Sequence, residues 1–143
     1  MQNSISQNPK DLIQKTQQKQ RVLIVDDQWA NRYLLRCLLE SFPCEIHEAE
    51  NGLQAVEMHL SWRPHLIWMD LSMPVMSGSK AVKLIRDVDS HTKIIAMSAF
   101  ASEEDKQHML NLGCDGFIAK PCRVVDVYYH TQQYLPKSCI AAS

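Results

Sequence analysis

Five short apolar segments between residues 21 and 135 each precede a segment with helical periodicity, and this alternation constrains the fold most strongly. The first, Val22–Val25, is continuously apolar, which is typical of a strand buried on both faces of a parallel sheet. In residues 28–42, leucines and Phe42 recur on one stripe at the spacing of an α-helix. Later strands are predicted at Cys44–Ala49, His65–Asp70, Lys93–Ser98 and Asp115–Ala119, and each is followed by a predicted helix.

The predicted helices carry recognisable start and stop signals. Asn51 is a suitable N-cap with Gln54 three residues later, and Ser102 precedes acidic residues that favour the positive end of a helix dipole. Gly113 suits the left-handed end of the fourth helix. The predicted core-facing residues are Leu34, Leu35, Leu38, Leu39 and Phe42 in the first helix, Ala81, Leu84, Ile85 and Val88 in the third, and Val124, Val127, Tyr128, Thr131 and Leu135 in the last.

The order of strands and helices indicates the fold class. Parallel neighbouring strands need crossover connections, and these place helices on both faces of the sheet. We therefore predict an α/β fold over residues 21–135: a doubly wound, five-stranded parallel sheet of flavodoxin-like (βα)5 type with strand order 2-1-3-4-5. Residues 1–20 are rich in glutamine and are predicted to form a polar arm or linker, and residues 136–143 a C-terminal tail.

Composition excludes several classes of partner. The chain has 15 basic and 16 acidic residues, so no overall field favours nucleic acid or an anionic membrane surface. No apolar run reaches the about 18–20 residues of a membrane span, and the N-terminus lacks the apolar core of a signal peptide. The five cysteines include no C-x-x-C pair, which indicates reduced thiols. We expect a cytoplasmic protein whose domain contacts neither nucleic acid nor membrane.

Residues with reactive side chains follow four of the five predicted strands. Strand one ends in Asp26 and Asp27, strand three in Asp70, strand four in Ser98 and strand five in Lys120. Open parallel sheets bind ligands beyond the carboxyl ends of their strands, where the strand order reverses. In the order 2-1-3-4-5 this point lies between strands one and three, so we expect the three carboxylates to converge there.

This predicted cluster has the chemistry of a phosphoryl acceptor. Like charges at short range repel unless a cation neutralises them, and Mg²⁺ prefers hard oxygen ligands and often bridges to phosphate. Lys120 and Ser98 can stabilise phosphoryl oxygens during transfer, a step that depends mainly on positioning and electrostatics. Asp70, at the centre, is the natural carboxylate nucleophile for an aspartyl-phosphate.

The sequence resembles the receiver domain of two-component signalling. The matching segments are Val22–Asp27, Met69–Gly78, Ser98–Ala99 and Phe117–Pro121, in the family's order and spacing. The stretches Asp27–Arg32 and Glu48–Gly52 are similar to receivers of hybrid sensor histidine kinases. The resemblance implies a module that takes a phosphoryl group from a phosphohistidine on a histidine kinase or histidine phosphotransfer domain. Such a module phosphorylates and dephosphorylates itself and is not otherwise an enzyme.

The resemblance also implies how the acceptor and its metal are held. Asp70 would accept the phosphoryl group. Asp27, Asp70 and the backbone carbonyl of Ser72 would ligate Mg²⁺, and Asp26 would act through a water molecule. Lys120 would pair first with Asp70 and then with its phosphate.

A conformational switch is the next implication of the resemblance. Ser98 would move to bond a phosphoryl oxygen, and Phe117 is either the aromatic residue that turns inward with it or simply a core residue of its strand. The Lys120–Pro121 bond resembles one that is cis in the family. Ser72 and Phe100 lie where the family tunes access of the hydrolytic water, and a bulky Phe100 predicts a long-lived phosphorylated state. The switched surface, and a possible homodimer contact, would be the face of the fourth helix, fifth strand and fifth helix.

Two alternative functions remain open at the level of sequence. A pseudo-receiver would act as an interaction domain without phosphorylation, although all the expected acids are present here. Phosphatases with an aspartate nucleophile also place it at the end of a parallel strand, but they generally need a second acid two residues later, where this chain has Ser72. Ser77 departs from the family pattern by replacing an acidic residue before Gly78, which is expected to alter the loop and Mg²⁺ affinity rather than abolish transfer.

Overall fold

The computed structural model of the protein describes residues 19–99 and 102–135. Residues 1–18 of the predicted arm, the whole predicted tail and Phe100, with its predicted tuning role, therefore lie outside the described residues. None of the described helices is long and apolar enough to cross a membrane.

Strands and helices alternate throughout the described chain. The strands are β1 (Gln20–Val25), β2 (Cys44–Ala49), β3 (Leu66–Asp70), β4 (Lys93–Ser98) and β5 (Gly116–Ala119). The helices are α1 (Trp29–Leu39), α2 (Gly52–Trp62), α3 (Gly78–Val88), α4 (Glu103–Leu112) and α5 (Val124–Tyr134). The strands form one parallel sheet in the order β2-β1-β3-β4-β5, which confirms the predicted fold class and topology.

Two apolar cores lie on opposite faces of the sheet. Alternate residues of β1, β3 and β4 point to one face, where they pack against α2, α3 and α4, and the intervening residues pack against α1 and α5. This arrangement explains why the central strands are continuously apolar rather than alternating. Every residue of β3 is buried, so the strand that ends in Asp70 is fixed from both sides.

Most predicted helix ends agree with the structure. The Asn51 side chain accepts a hydrogen bond from the Gln54 N–H at 2.9 Å, and Ser102 forms a reciprocal capping box with Asp105. Gly113 ends α4 with a φ of 107°, in the left-handed region that favours glycine. The Gln54 side chain instead accepts from the N–H of Glu50, so the predicted box at Asn51 is only half formed.

The predicted core-facing stripes are wider than the faces that the helices bury. In α3 the buried residues are Gly78, Ala81, Val82 and Ile85, whereas Leu84 and Val88 are 37% and 66% exposed. Leu34 and Val124 are likewise exposed, contrary to prediction. Helical spacing locates an apolar stripe, but the packed neighbours cover only part of its width.

Asp89 holds together the edge of the sheet opposite the strand ends that carry the acids. Its carboxylate accepts hydrogen bonds from the Thr92 hydroxyl at 2.6 Å and from the backbone N–H groups of His91 and Thr92. It also lies 2.8 Å from Nε2 of the fully buried His59. Burial of the carboxylate opposes its charge, but these hydrogen bonds outweigh it and hold the pKa of Asp89 well below its ordinary value.

We expect Asp89→Ala to lower the free energy of unfolding by about 2–4 kcal/mol, because several donors lose one shared acceptor. Asp87→Ala, an exposed acidic position on α3, is the matched control and should change stability by less than about 0.5 kcal/mol. The depressed pKa gives the sign of the pH dependence. The stabilisation by Asp89 is present above the unfolded pKa and disappears as the pH falls through the folded value. Urea unfolding of both variants should therefore show the difference narrowing in acid, and a constant difference would contradict the assignment.

Candidate functional site

The strand ends that carry reactive side chains meet at one edge of the sheet. Beyond β3, the Leu71 N–H donates to the carbonyl of Met97 at 3.1 Å. Beyond β5, the Lys120 N–H donates to the carbonyl of Ser98 at 2.8 Å. Backbone pairing thus continues past the last residues of the strands and fixes the acidic, hydroxyl and basic positions relative to one another.

The three predicted acids form a cluster. One carboxylate oxygen from each of Asp26, Asp27 and Asp70 lies within 4.8 Å of the other two. Asp26 is fully buried, Asp70 is 3% exposed, and Asp27 is partly exposed at the mouth of the site. Three hard oxygen donors with an open side match the ligand preference of Mg²⁺, which retains several waters.

Lys120 neutralises part of this cluster. Its Nζ lies 2.6 Å from Oδ2 of Asp26 and 3.2 Å from Oδ2 of Asp70, so it bridges the two buried acids. The predicted pairing of Lys120 with Asp70 thus occurs together with a shorter contact to Asp26, which sequence reasoning missed. Burial opposes the ammonium charge, but the two carboxylates outweigh it and raise the pKa of Lys120. The residue is therefore a fixed positive charge at neutral pH.

The Asp70 carboxyl lies in an environment that disfavours its charged form. Burial raises its pKa, and the neighbouring Asp26 charge raises it further. Lys120 and the Ser72 N–H, which donates to Oδ1 of Asp70 at 3.2 Å, only partly compensate. A carboxylate in this situation gains from an added cation, and the cluster beside it could hold one.

The loop after Asp70 is held by close backbone contacts. The Gly78 N–H donates to the carbonyl of Leu71 at 3.1 Å, and the Gly52 N–H donates to that of Met76 at 2.9 Å. Between these anchors Val75 has a φ of 69° and is 80% exposed, which is an uncommon conformation for a β-branched residue. The Ser77 hydroxyl caps α3 by accepting from the Lys80 N–H at 3.2 Å, which gives this departure from the family pattern a structural role.

The predicted switch residues lie on the side of the site next to β4 and β5. Ser98 ends β4 and is partly buried, and Phe117 packs its partly buried ring against the core under α2, α3 and α4. The Lys120–Pro121 peptide bond is cis. The structure describes a single arrangement of Ser98 and Phe117, so their movement stays a prediction, as does the metal contact from the Ser72 carbonyl.

Arg32 binds the backbone of the acidic cluster at Asp26. Sequence reasoning did not identify it as a site residue. Its side chain is 10% exposed, Nη1 donates to the carbonyl of Asp26 at 2.9 Å, and Nε bonds Glu48 at 2.9 Å. A longer contact of 3.6 Å reaches Glu50. The sequence did contain a signal for this contact. Arg32 lies in the first turn of an amphipathic helix, and the acids Glu48 and Glu50 lie around the end of the next strand.

Comparison with known proteins gives a consistent result. The family described as the response regulator receiver domain matches residues 22–131. The chemotaxis protein CheY of Halobacterium salinarum is 40% identical over 101 residues, which cover 71% of this chain and 84% of that protein. The polar-differentiation response regulator DivK of Brucella anthropi is 35% identical over 116 residues, which cover 80% of this chain and 94% of that protein.

Among solved structures, a similar one is the receiver domain of the Saccharomyces cerevisiae response regulator Ssk1 in complex with the histidine phosphotransfer signalling protein Ypd1. The TM-score is 0.77 with 29% sequence identity, and the match covers 87% of this chain and 94% of that chain. The likeness therefore extends over nearly the whole of the described fold.

Proposed function

Because this chain belongs to the response regulator receiver domain family, we propose that it is a phosphoacceptor of a two-component phosphorelay with Asp70 as the acceptor. The observation that carries the proposal is the position of Asp70. Its carboxylate is nearly buried, lies 3.2 Å from the Lys120 ammonium, and shares an oxygen cluster with two further acids. A carboxylate placed between a fixed cation and a metal-binding set is suited to attack phosphorus.

The proposed transfer involves no oxidation or reduction, and it needs no reactant besides the phosphohistidine. An oxygen of the Asp70 carboxylate forms a bond to the phosphorus of a phosphohistidine while the bond from that phosphorus to the imidazole nitrogen breaks. The imidazole leaves with the electron pair and takes up a proton. Lys120 then faces one more negative charge, and Ser98 can donate its hydroxyl to a phosphoryl oxygen.

The residues proposed to hold Mg²⁺ are those that the family resemblance implies, and the three acids among them lie together in the cluster. Asp27, Asp70 and the Ser72 carbonyl would ligate the ion directly. Asp26, whose Oδ2 is bound by Lys120 and whose Oδ1 accepts from the Gln28 N–H at 2.8 Å, would act through water. When bound, the ion supplies charge neutralisation for the phosphoryl oxygens.

We further propose the partners and the output. The donor is a histidine kinase or histidine phosphotransfer domain, as the likeness to a receiver crystallised with Ypd1 supports. Phosphorylation is proposed to act through Ser98 and Phe117 on the face of α4, β5 and α5, where a homodimer could also form. The module turns over only its own phosphate, and the proposed location is cytoplasmic. The stretches around Arg32 and Glu48 support a kinship with hybrid histidine kinase receivers.

The proposal is tested by intact-mass spectrometry after incubation with acetyl phosphate and Mg²⁺. The parent protein is expected to gain one phosphoryl group, and the gain should disappear with a chelator. The Asp70→Asn variant replaces the nucleophile with an amide of the same shape and should show no gain. Circular dichroism of both proteins checks that the variant is folded.

Each of the other outcomes would contradict the proposal and indicate a different function. A gain in neither protein would identify an interaction domain of the pseudo-receiver kind. A gain in both would place the modification on another residue. Continuous release of phosphate from an added phosphomonoester, in proportion to the parent protein and lost in Asp70→Asn, would identify an aspartate-nucleophile phosphatase instead.

A further inference from the structure

An open groove separates α3 from α4 on the outside of the protein. Its volume is about 440 Å³, and its lining residues are Ser79, Lys80, Lys83, Leu84, Asp87, His108 and Leu112. This size falls in the range of pockets that bind small ligands. The groove lies on the opposite side of α4 from the proposed output face with β5 and α5.

The apolar part of the groove is a surface that the fold does not bury. Leu84 is 37% exposed, and Leu112 is partly buried at the facing end of α4. Val88, one turn after Leu84 on α3, is 66% exposed and extends the same stripe. An amphipathic helix that leaves part of its apolar stripe uncovered offers a contact for another apolar side chain.

The rim of the groove carries two lysines that form no ion pair with the described residues. Lys80 and Lys83 are exposed, and neither ammonium has a carboxylate of the described residues within 4 Å. Asp87 is the one acid in the lining that the structure describes, so the two lysines outnumber it. Complementarity therefore favours an occupant with acidic side chains.

The chain's own segments outside the described residues do not have this charge. Residues 1–18 contain two lysines and one aspartate, and residues 136–143 contain one lysine and no acidic side chain. The acidic first turn of α4 at Glu103–Asp105 in a second copy carries no apolar residue to cover Leu84. Charge complementarity with the two lysines favours an acidic segment of a partner chain as the occupant, and a second copy is one outcome of the test below.

We propose that the groove between α3 and α4 binds an acidic peptide segment of a partner protein, with carboxylates against Lys80 and Lys83 and an apolar side chain on Leu84 and Leu112. The groove adjoins both helices that lead away from the site, since α3 follows the loop after Asp70 and α4 follows Ser98. Any coupling of this binding to phosphorylation rests on the proposed function, whereas the binding itself does not.

The test is a fluorescence anisotropy titration of the unphosphorylated protein with a labelled helical peptide built from glutamate and leucine. The double variant Lys80→Glu/Lys83→Glu should bind about tenfold more weakly, since two attractive contacts become repulsive. Leu84→Ser should bind more weakly by a factor of about three to ten because it removes the apolar contact. Lys106→Glu is the matched control, a charge reversal on α4 outside the groove, and should bind within about twofold of the parent.

Several results would overturn the proposal. These are no binding to the parent, equal binding of a peptide with lysine in place of glutamate, or an equal loss in Lys106→Glu. Self-association of the parent in sedimentation, abolished in the double variant, would assign the groove to a second copy instead. Thermal melts check folding, and Lys80→Gln/Lys83→Gln replaces the charge reversal if the latter unfolds. Because Asp70 is not phosphorylated in these measurements, they are independent of the proposed phosphorelay.

Discussion

Replacing Lys120 with methionine is expected to abolish phosphoryl uptake at Asp70 and to lower the free energy of unfolding by about 3–5 kcal/mol. The ammonium lies 2.6 Å from Asp26 and 3.2 Å from Asp70, and both carboxylates are buried. Methionine has a similar length but no charge, so it leaves two adjacent buried anions without their cation. It also removes the group that faces the phosphoryl oxygens, which typically costs a factor of about 10²–10³ in rate.

Two comparisons separate the charge from the shape of Lys120. Lys120→Arg keeps the charge on a larger planar group and should lose less stability than Lys120→Met. Mg²⁺ should raise the melting temperature of Lys120→Met more than that of the parent, because the ion then replaces the cation that the two buried acids have lost. Urea unfolding and intact-mass spectrometry provide the readouts. Parent-like stability of Lys120→Met would show that the ion pair does not stabilise the fold, and parent-like uptake would show that Lys120 has no role in transfer.

The fold could be predicted because its decisive features are local in sequence. Val22–Val25 and Leu66–Met69 are continuously apolar, and such runs indicate strands with helices on both faces. The rule that connections between parallel strands cross over then brings the carboxyl ends of these strands together. The cluster of Asp26, Asp27 and Asp70 follows from that topology without knowledge of any side-chain conformation.

The finer features depend on packing that the sequence does not encode locally. Lys120 is closer to Asp26 than to Asp70, a choice set by where β5 ends relative to β1 and β3. Arg32 is buried where Glu48, at the end of β2, lies beside it. The two residues are 16 positions apart in the sequence, so helical periodicity could not predict this contact. Leu84 has the correct spacing for the core-facing side of α3 yet is 37% exposed, because periodicity alone does not give the width of the buried face.

Gly78→Ala is expected to lower the free energy of unfolding by about 2–4 kcal/mol and to impair phosphoryl uptake. The glycine begins α3, where helix propensity alone would favour alanine by up to about 1 kcal/mol. A Cβ at this position, however, would lie 1.9 Å from the carbonyl oxygen of Asp70 and 2.9 Å from Cα of Leu71. Both obstacles are backbone atoms, so no side-chain rotation can relieve the overlap.

This overlap makes Gly78→Ala destabilising despite the better helix propensity of alanine, because either α3 or the end of β3 must move to relieve it. Every residue of β3 is buried, whereas α3 begins in a partly exposed loop, so we expect the helix start to shift and the loop after Asp70 to shift with it. Ser79→Ala makes the same product residue one position later, without this contact, and should stay within about 0.5 kcal/mol of the parent. Urea unfolding and phosphoryl uptake of the two variants can be measured side by side. If Gly78→Ala matched Ser79→Ala in both, the close approach of α3 to the Asp70 backbone would not be what requires glycine here.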